Sequence, residues 1–358
     1  MFILFTISFF LLFIYGIRYM PEGNNEYVGK QQANAIKGFF ILYLTIGHIA
    51  GILLACGLYP DGFWNHLDDL LHSAMNSLVV VMFLFFSGFG ISENLKTREG
   101  NRMVNEAYVR SIPRRRVLNT LVNLGVVVLL YLLCSPLTGC EIEWSKLPLY
   151  FIALESAGNS CWYIFVILSC YLVTWVAASI VRDSRSCLVA FHTLLTAAVG
   201  VTLYLFKAET DYYWYTTIMS YAFGFVYSQY KAELEDMFSR RWLLSLTLSA
   251  VLFVIHYILV WKTFIPRLVS FNLMSIWFVL LFVIMGMKFR VGNKAINWCG
   301  AHLFPIYTYQ ALFYLSLLNI GGNVHSFASW SPFLYALISL LLTLLLAKFY
   351  HLWEFRIK

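Results

Sequence analysis

Asn34-Ala35-Ile36-Lys37-Gly38-Phe39-Phe40-Ile41-Leu42-Tyr43-Leu44-Thr45-Ile46-Gly47-His48 decides the fold, because it begins an apolar window that runs on to about residue 57. A helix needs about 20 mostly apolar residues to cross the hydrocarbon of a bilayer. Working outward from this stretch, the same test finds eleven such windows, roughly 2–19, 35–57, 70–92, 116–134, 160–181, 188–206, 212–229, 242–261, 267–287, 295–318 and 332–353. The whole chain agrees: 60% of its 358 residues are hydrophobic and 12% are charged, with mean hydropathy +0.72. Soluble domains are about 45–50% apolar and about 25% charged, so there is too little polar surface to cover a water-facing globule. The expected fold class is all-α, a polytopic integral membrane bundle of about eleven transmembrane helices. That excludes a cytosolic enzyme, a secreted disulfide scaffold, a coiled coil and a disordered regulator.

The 25 Lys and Arg residues orient the bundle. With the N-terminus outside and the C-terminus cytoplasmic, 21 of them fall in inner loops, and only Lys146, Lys207, Lys262 and Arg267 fall outside. Cytoplasmic loops are enriched in Lys and Arg, so the net charge of +7 reads as topology and lipid contact, with no nucleic-acid partner expected. The first window lacks a basic leader or a small-residue cleavage site before Pro21, and is expected to be an uncleaved anchor. The expected organisation is an N-terminal transmembrane anchor with a short cytoplasmic loop, 1–30, and a membrane domain, 31–358, a division that rests on the family resemblance set out below, to which the first span is extra. The apolar stretch Leu147–Leu154 is too short to span and carries Pro148, with Glu155 following, so it is expected to be interfacial or re-entrant. The seven cysteines show no metal-ligand spacing, and no metal is expected; Cys134, Cys140 and Cys161 share the expected outer face, where one disulfide is compatible with their placement.

An ionisable side chain inside a span is costly and marks a functional candidate. All 18 Asp and Glu residues lie in loops or at window ends, leaving His48, His192, His256 and His302 as the deep ionisable groups. His192 and His256 have no recognisable partner and read as packing. Lys37 and His48 are eleven positions apart on one helix, which puts them on the same face to within about 20° and about 16 Å apart along the axis. A cation at the inner mouth can hold a phosphorylated carrier, and a deeper imidazole can act as general base towards a hydroxyl. Taken alone, the pair has a plainer reading, a histidine bonded to a neighbouring helix above a snorkelling lysine.

The stretch Asn34–His48 resembles the opening signature of the acyltransferase family 3 membrane proteins: a basic residue, Gly, an apolar run, then Gly-His, with the family's ten residues between Lys37 and His48. Three later segments resemble family motifs in the same order. They are Phe85-Phe86-Ser87-Gly88-Phe89-Gly90 before a basic loop, Trp162-Tyr163-Ile164-Phe165, and Trp298-Cys299-Gly300 with Phe304-Pro305-Ile306-Tyr307-Thr308-Tyr309-Gln310. The similarity covers about residues 30–350. In the basic loop the family often carries Arg-x-x-Arg, whereas here Arg114, Arg115 and Arg116 are consecutive, and Gln310 stands where the family often has His.

The resemblance implies transfer of an acyl group, commonly acetyl, from cytoplasmic acyl-CoA to a hydroxyl of an extracytoplasmic sugar or glycan, in the inner membrane of a bacterial cell. Acyl-CoA is then a co-substrate and no cofactor stays bound. His48 would be catalytic. Lys37, Arg114, Arg115, Arg116 and His302 would bind the donor, and Ser87, Tyr307 and Gln310 would orient it or stabilise its oxyanion. The acceptor side collects Asp61, His66, Asp68, Asp69, His72, Glu141, Glu143 and Ser160; Glu155, Asn159 and Trp162 are singled out there because they flank the short re-entrant segment. Two other classes fit the same composition: a transporter of a glycan or acylated metabolite, and an assembly partner of a glycan-synthesis complex. The topology makes a direct prediction. Reporter fusions at Lys96 and Asp61 should report the cytoplasm and the outside respectively, and the opposite pattern would reverse the orientation.

Overall fold

The computed structural model describes residues 2–75, 77–96, 104–207, 209–262, 266–319 and 326–356. Arg98 and Arg102 of the basic loop, and Lys358, lie outside the described residues. The chain runs through α1 (Ile3–Tyr15), α2 (Lys30–Ala55), α3 (Phe63–Met75), α4 (Leu78–Leu95), α5 (Glu106–Ile112), α6 (Asn119–Leu133), α7 (Ser135–Thr138), α8 (Leu147–Phe151) and α9 (Trp162–Ile180). It continues through α10 (Arg185–Phe206), α11 (Met219–Gln229), α12 (Lys231–Arg240), α13 (Trp242–Lys262), α14 (Arg267–Gly286), α15 (Lys294–Ala301), α16 (Leu303–Asn319), α17 (Ser326–Trp330) and α18 (Pro332–Phe349). The only sheet among the described residues is an antiparallel pair, β1 (Arg18–Tyr19) with β2 (Phe289–Arg290), which ties the α1–α2 link to the α14–α15 link.

Eight helical segments among the described residues are long and apolar enough to cross a membrane, and the chain is an integral membrane protein. Three of the expected eleven windows do not give one long helix. α1 has 13 residues and α11 has 11, and the window 295–318 is broken at His302 between α15 and α16. The break has a local cause. Pro305 has no N–H to bond the carbonyl four residues back, so the helix ends at Ala301 and restarts at Leu303. Non-helical backbone at membrane depth is tolerated where protein buries it, and the turn that leads into α11 is such a case, with Tyr215, Thr216, Thr217 and Ile218 all buried. The stretch Leu147–Leu154 forms only the five-residue α8, with Pro148 in its first turn, and an irregular continuation in which Ala153 takes a positive φ of 61°. All seven cysteines are free.

The bundle is organised around α2, which touches α1, α4, α15, α16 and α18. Two crossings are close enough to need glycine. A Cβ at Gly38 would overlap the Ile296 carbonyl, and one at Gly300 would overlap the Asn34 carbonyl, so α2 and α15 meet backbone to backbone. α4 and α11 do the same, with Gly88 against the Tyr221 carbonyl and Gly224 against the Phe85 carbonyl. Lipid tails leave little hydrophobic drive between helices, and small residues compensate by admitting dispersion contact at short range. Elsewhere the surface is what a lipid-facing bundle needs: α13 exposes Leu243, Leu244, Leu248, Val251, Val254, Ile255 and Ile258.

Overpacking a close contact typically costs about 1–3 kcal/mol. Gly38→Ala and Gly88→Ala should therefore lower the thermal unfolding midpoint of the detergent-purified protein. Gly90→Ala, where nothing lies within 4 Å of an added Cβ, should leave it unchanged.

Candidate functional site

Two cavities lie one beyond the other along α2. The first, of about 520 Å³, is lined by Tyr43, Gly47 and His48 of α2, by Asp69, His72 and Ser73 of α3, by Val79 and Val80 of α4, and by Ser160, Trp162 and Tyr213. The second, of about 360 Å³, is lined by Lys37 of α2, Ser87 of α4, Asn119, Thr120 and Asn123 of α6, and Tyr163, Ile167 and Tyr171 of α9; the segments Gly300–Pro305 and Tyr350–Arg356 add further groups. The order of lining residues on α2, α4 and α9 is consistent, so the cavities occupy opposite ends of the bundle. Consecutive residues Trp162 and Tyr163 face different cavities at the start of α9.

His48 lines the first cavity with its Nδ1 buried and without a hydrogen-bond partner. The Gln310 side chain lies beside the imidazole. Its Nε2 donates to the Tyr307 carbonyl at 3.0 Å, which leaves Oε1 buried and unpartnered. Tyr307 stands its ring against Tyr163, with centroids 5.4 Å apart, and its hydroxyl is buried without a partner too. Buried polar atoms are normally satisfied; of the fourteen buried side-chain atoms left without a partner among the described residues, His48 Nδ1 and Gln310 Oε1 are the two that lie side by side at a cavity wall. The aromatic wall of the cavity is Trp162 against Tyr213, with centroids 5.2 Å apart.

The Lys37 cavity is more polar. Asn123 organises it: its Nδ2 donates to the Asn119 and Phe355 carbonyls, and its Oδ1 accepts from the Tyr350 hydroxyl and the Phe355 N–H at 2.9 Å each. That clamp holds the C-terminal segment against α6 and brings His351, Glu354 and Arg356 into the lining. Arg356 is ion-paired with Glu354 at 2.7 Å. His302, at the α15–α16 break, donates from Nδ1 to the Trp298 carbonyl at 2.9 Å and stacks on the Trp298 ring.

The residues singled out by sequence are thus distributed unevenly. His48 and Trp162 share the first cavity; Lys37, Ser87 and His302 share the second. Gln310, buried beside His48, and Tyr307, buried against Tyr163, line neither. Arg114 and Arg115 are exposed on the π-helical turn Pro113–Leu118 and are absent from both linings. Arg116 reaches the second cavity's wall from behind, with its guanidinium 6.0 Å from the Tyr171 ring and a hydrogen bond to the Tyr108 hydroxyl. Asn159 is turned into its own loop, its Oδ1 accepting from the Ala157 N–H at 3.2 Å, and Glu155 is half-buried near it; neither lines a cavity. His192 packs as expected, hydrogen-bonded to Thr174 and stacked on Phe225 at 3.9 Å. Three lining groups carried no sequence signal of their own. Arg356 counted only towards topology, and Asp69 and His72 belonged to a general acidic rim. The i, i+4 pairing of Asp68 with His72 was the available clue. Among the described residues no three His, Cys, Asp or Glu side chains are placed to hold a metal ion.

The arrangement is one of polar cavities at both ends of a helix that carries a lysine and a histidine. The family model described as an acyltransferase domain, acyltransferase family 3, matches residues 30–349, so the chain belongs to that family and is a membrane acyltransferase. Comparisons with curated proteins and with solved structures gave no match.

The cavity geometry predicts a labelling pattern. In a cysteine-free background, Ser160→Cys should react with a membrane-impermeant maleimide from one side of a sealed vesicle and Asn119→Cys only from the other. Reaction of both from one side would contradict cavities at opposite ends.

Proposed function

We propose that the protein transfers an acyl group, acetyl in the first instance, from cytoplasmic acyl-CoA to a hydroxyl of an extracytoplasmic sugar or glycan, in the inner membrane of a bacterial cell. The observation that carries this reading is the pair of cavities along α2, with Lys37 in one and His48 in the other. Acyl transfer between compartments needs a donor site and an acceptor site that meet at one reacting carbon, and α2 runs past both.

In this reading the donor's phosphates occupy the Lys37 cavity, where Lys37, Arg356, His302 and His351 supply positive or hydrogen-bonding groups. Charge-assisted contacts to phosphate are the strong ones. Arg114, Arg115 and Arg116 raise the local concentration of the anionic carrier from the rim. The pantetheine arm passes Ser87 and Tyr163 towards His48. The acceptor enters the other cavity, where Trp162 and Tyr213 offer an aromatic face to a sugar ring.

His48 takes the proton of the acceptor hydroxyl as its oxygen bonds to the acyl carbon. The carbon–sulfur bond breaks as the tetrahedral intermediate collapses, and the proton passes from His48 to the departing thiolate, so the products are ester and CoA thiol. The unpartnered Tyr307 hydroxyl can donate to the developing oxyanion. The Gln310 Oε1 can accept from the imidazole N–H and hold its tautomer.

The test uses purified protein in detergent and labelled acetyl-CoA, followed for binding and slow hydrolysis. A charge-assisted contact is worth about 1.5–3 kcal/mol, so Lys37→Ala should weaken binding at least about tenfold. Removing a general base costs about 10²–10⁴ in rate, so His48→Ala should bind acetyl-CoA and lose hydrolysis by about that factor. Folded wild-type protein that neither binds nor hydrolyses acetyl-CoA would overturn the donor assignment.

A further inference from the structure

The His48 cavity holds a second imidazole. His72 lines it with only 11% of its side chain exposed, and its ring stacks on Tyr43 with centroids 4.2 Å apart. Behind it stands Asp68, fully buried on α3, with Oδ2 3.7 Å from His72 Nε2. The carboxylate is held by two hydroxyls: Thr6 donates to Oδ1 at 2.6 Å and Tyr59 donates to Oδ2 at 3.1 Å.

Thr6 is the informative member. A hydroxyl carries one proton, and the short contact commits it to the carboxylate. Towards His72 Nε2, 3.4 Å away, the same oxygen can only accept, so Nε2 carries the hydrogen, and in the neutral ring Nδ1 keeps its lone pair. Nδ1 lies close to Gly47, the residue before His48; a Cβ on Gly47 would come to 2.9 Å from it. Nδ1 has no hydrogen-bond partner among the described residues. Thr6 lies on α1, which precedes the family-matched residues 30–349, and Phe2 of the same segment donates its N–H to Asn65 Oδ1 on α3 at 3.1 Å.

We propose that His72 binds the acceptor: its Nδ1 takes a hydrogen bond from a hydroxyl or amino group next to the reacting hydroxyl, and α1, through Thr6 and Asp68, sets the tautomer that makes this possible. The inference rests on the acyl-transfer reading above and sharpens its substrate class. The acceptor carries a second donor beside the reacting hydroxyl, as adjacent positions of a sugar ring do. It is neutral or cationic, because the cavity lining includes Asp69 and neither Lys nor Arg. His72 is then a residue that touches substrate, and Thr6 and Asp68 are positioning residues.

The two nitrogens of His72 can be separated by substitution. The amide of Asn superposes on Nδ1 and that of Gln on Nε2. Membranes from the source organism lacking its own copy, supplied with each variant, would be given labelled acetyl-CoA, and label entering the surface glycan would be measured. His72→Gln should lower transfer about tenfold or more, and His72→Asn should keep the greater part of it. Thr6→Val should fall with the Gln variant, and Thr6→Ser should recover to within about threefold of wild type. Acetyl-CoA affinity and protein level, measured on each variant, report folding. Any order that does not put Asn above Gln, or a Thr6→Val variant as active as wild type, overturns the role of His72. No transfer by wild type itself would instead overturn the acyl-transfer reading.

Discussion

The contact between Gly38 and Gly300 is the constraint on which the site depends. It admits α2 and α15 to backbone distance, and because the two helices run parallel, everything further along each is brought into register. Lys37, next to Gly38, shares a cavity with Gly300 and the break that follows it at His302. Ten residues beyond each glycine come His48 and Gln310, which lie side by side. The Gly88–Gly224 crossing repeats the device between α4 and α11, and Ser87, next to Gly88, lines the second cavity together with Tyr163. In a bilayer, where the hydrophobic effect does not bring helices together, such crossings decide which side chains meet.

Polar groups are distributed by the same economy. Many are satisfied locally: Thr45, Thr174, Thr196, Thr308 and Thr343 each return their hydroxyl to the carbonyl four residues back. His48 Nδ1, Gln310 Oε1 and the Tyr307 hydroxyl are not, and the first two lie side by side at the first cavity. Leaving polar atoms unpaired at depth is costly, and what sets His48 apart from unpartnered groups such as His192 is that it also opens onto a cavity.

Legibility followed the length scale of each feature. The Lys37–His48 pair was readable because one helix carries both and its geometry is fixed by backbone hydrogen bonds alone. The fate of the arginine cluster was not, since a π-helical turn at Pro113 leaves Arg114 and Arg115 exposed and turns only Arg116 inward. Arg356 reached the Lys37 cavity through Asn123, more than two hundred positions away, a relation that no periodicity encodes. Asp68 and His72 read as solvated rim because their partners, Thr6 and Tyr59, are on other elements. Windows 212–229 and 295–318 had the hydropathy of spans, yet a buried turn and Pro305 shortened the helices within them.

By itself the sequence determined that the chain lives in a bilayer, that its backbone is helical, and that a lysine and a histidine share one helix face. Each of these follows from local composition and the 3.6-residue turn. Only the tertiary structure decided that Lys37 and His48 open into separate cavities, that His72 stands beside His48 over Gly47, and that α1 reaches across to its carboxylate. Those depend on where glycines let helices touch, and an apolar helix carries no mark of which neighbour will face it.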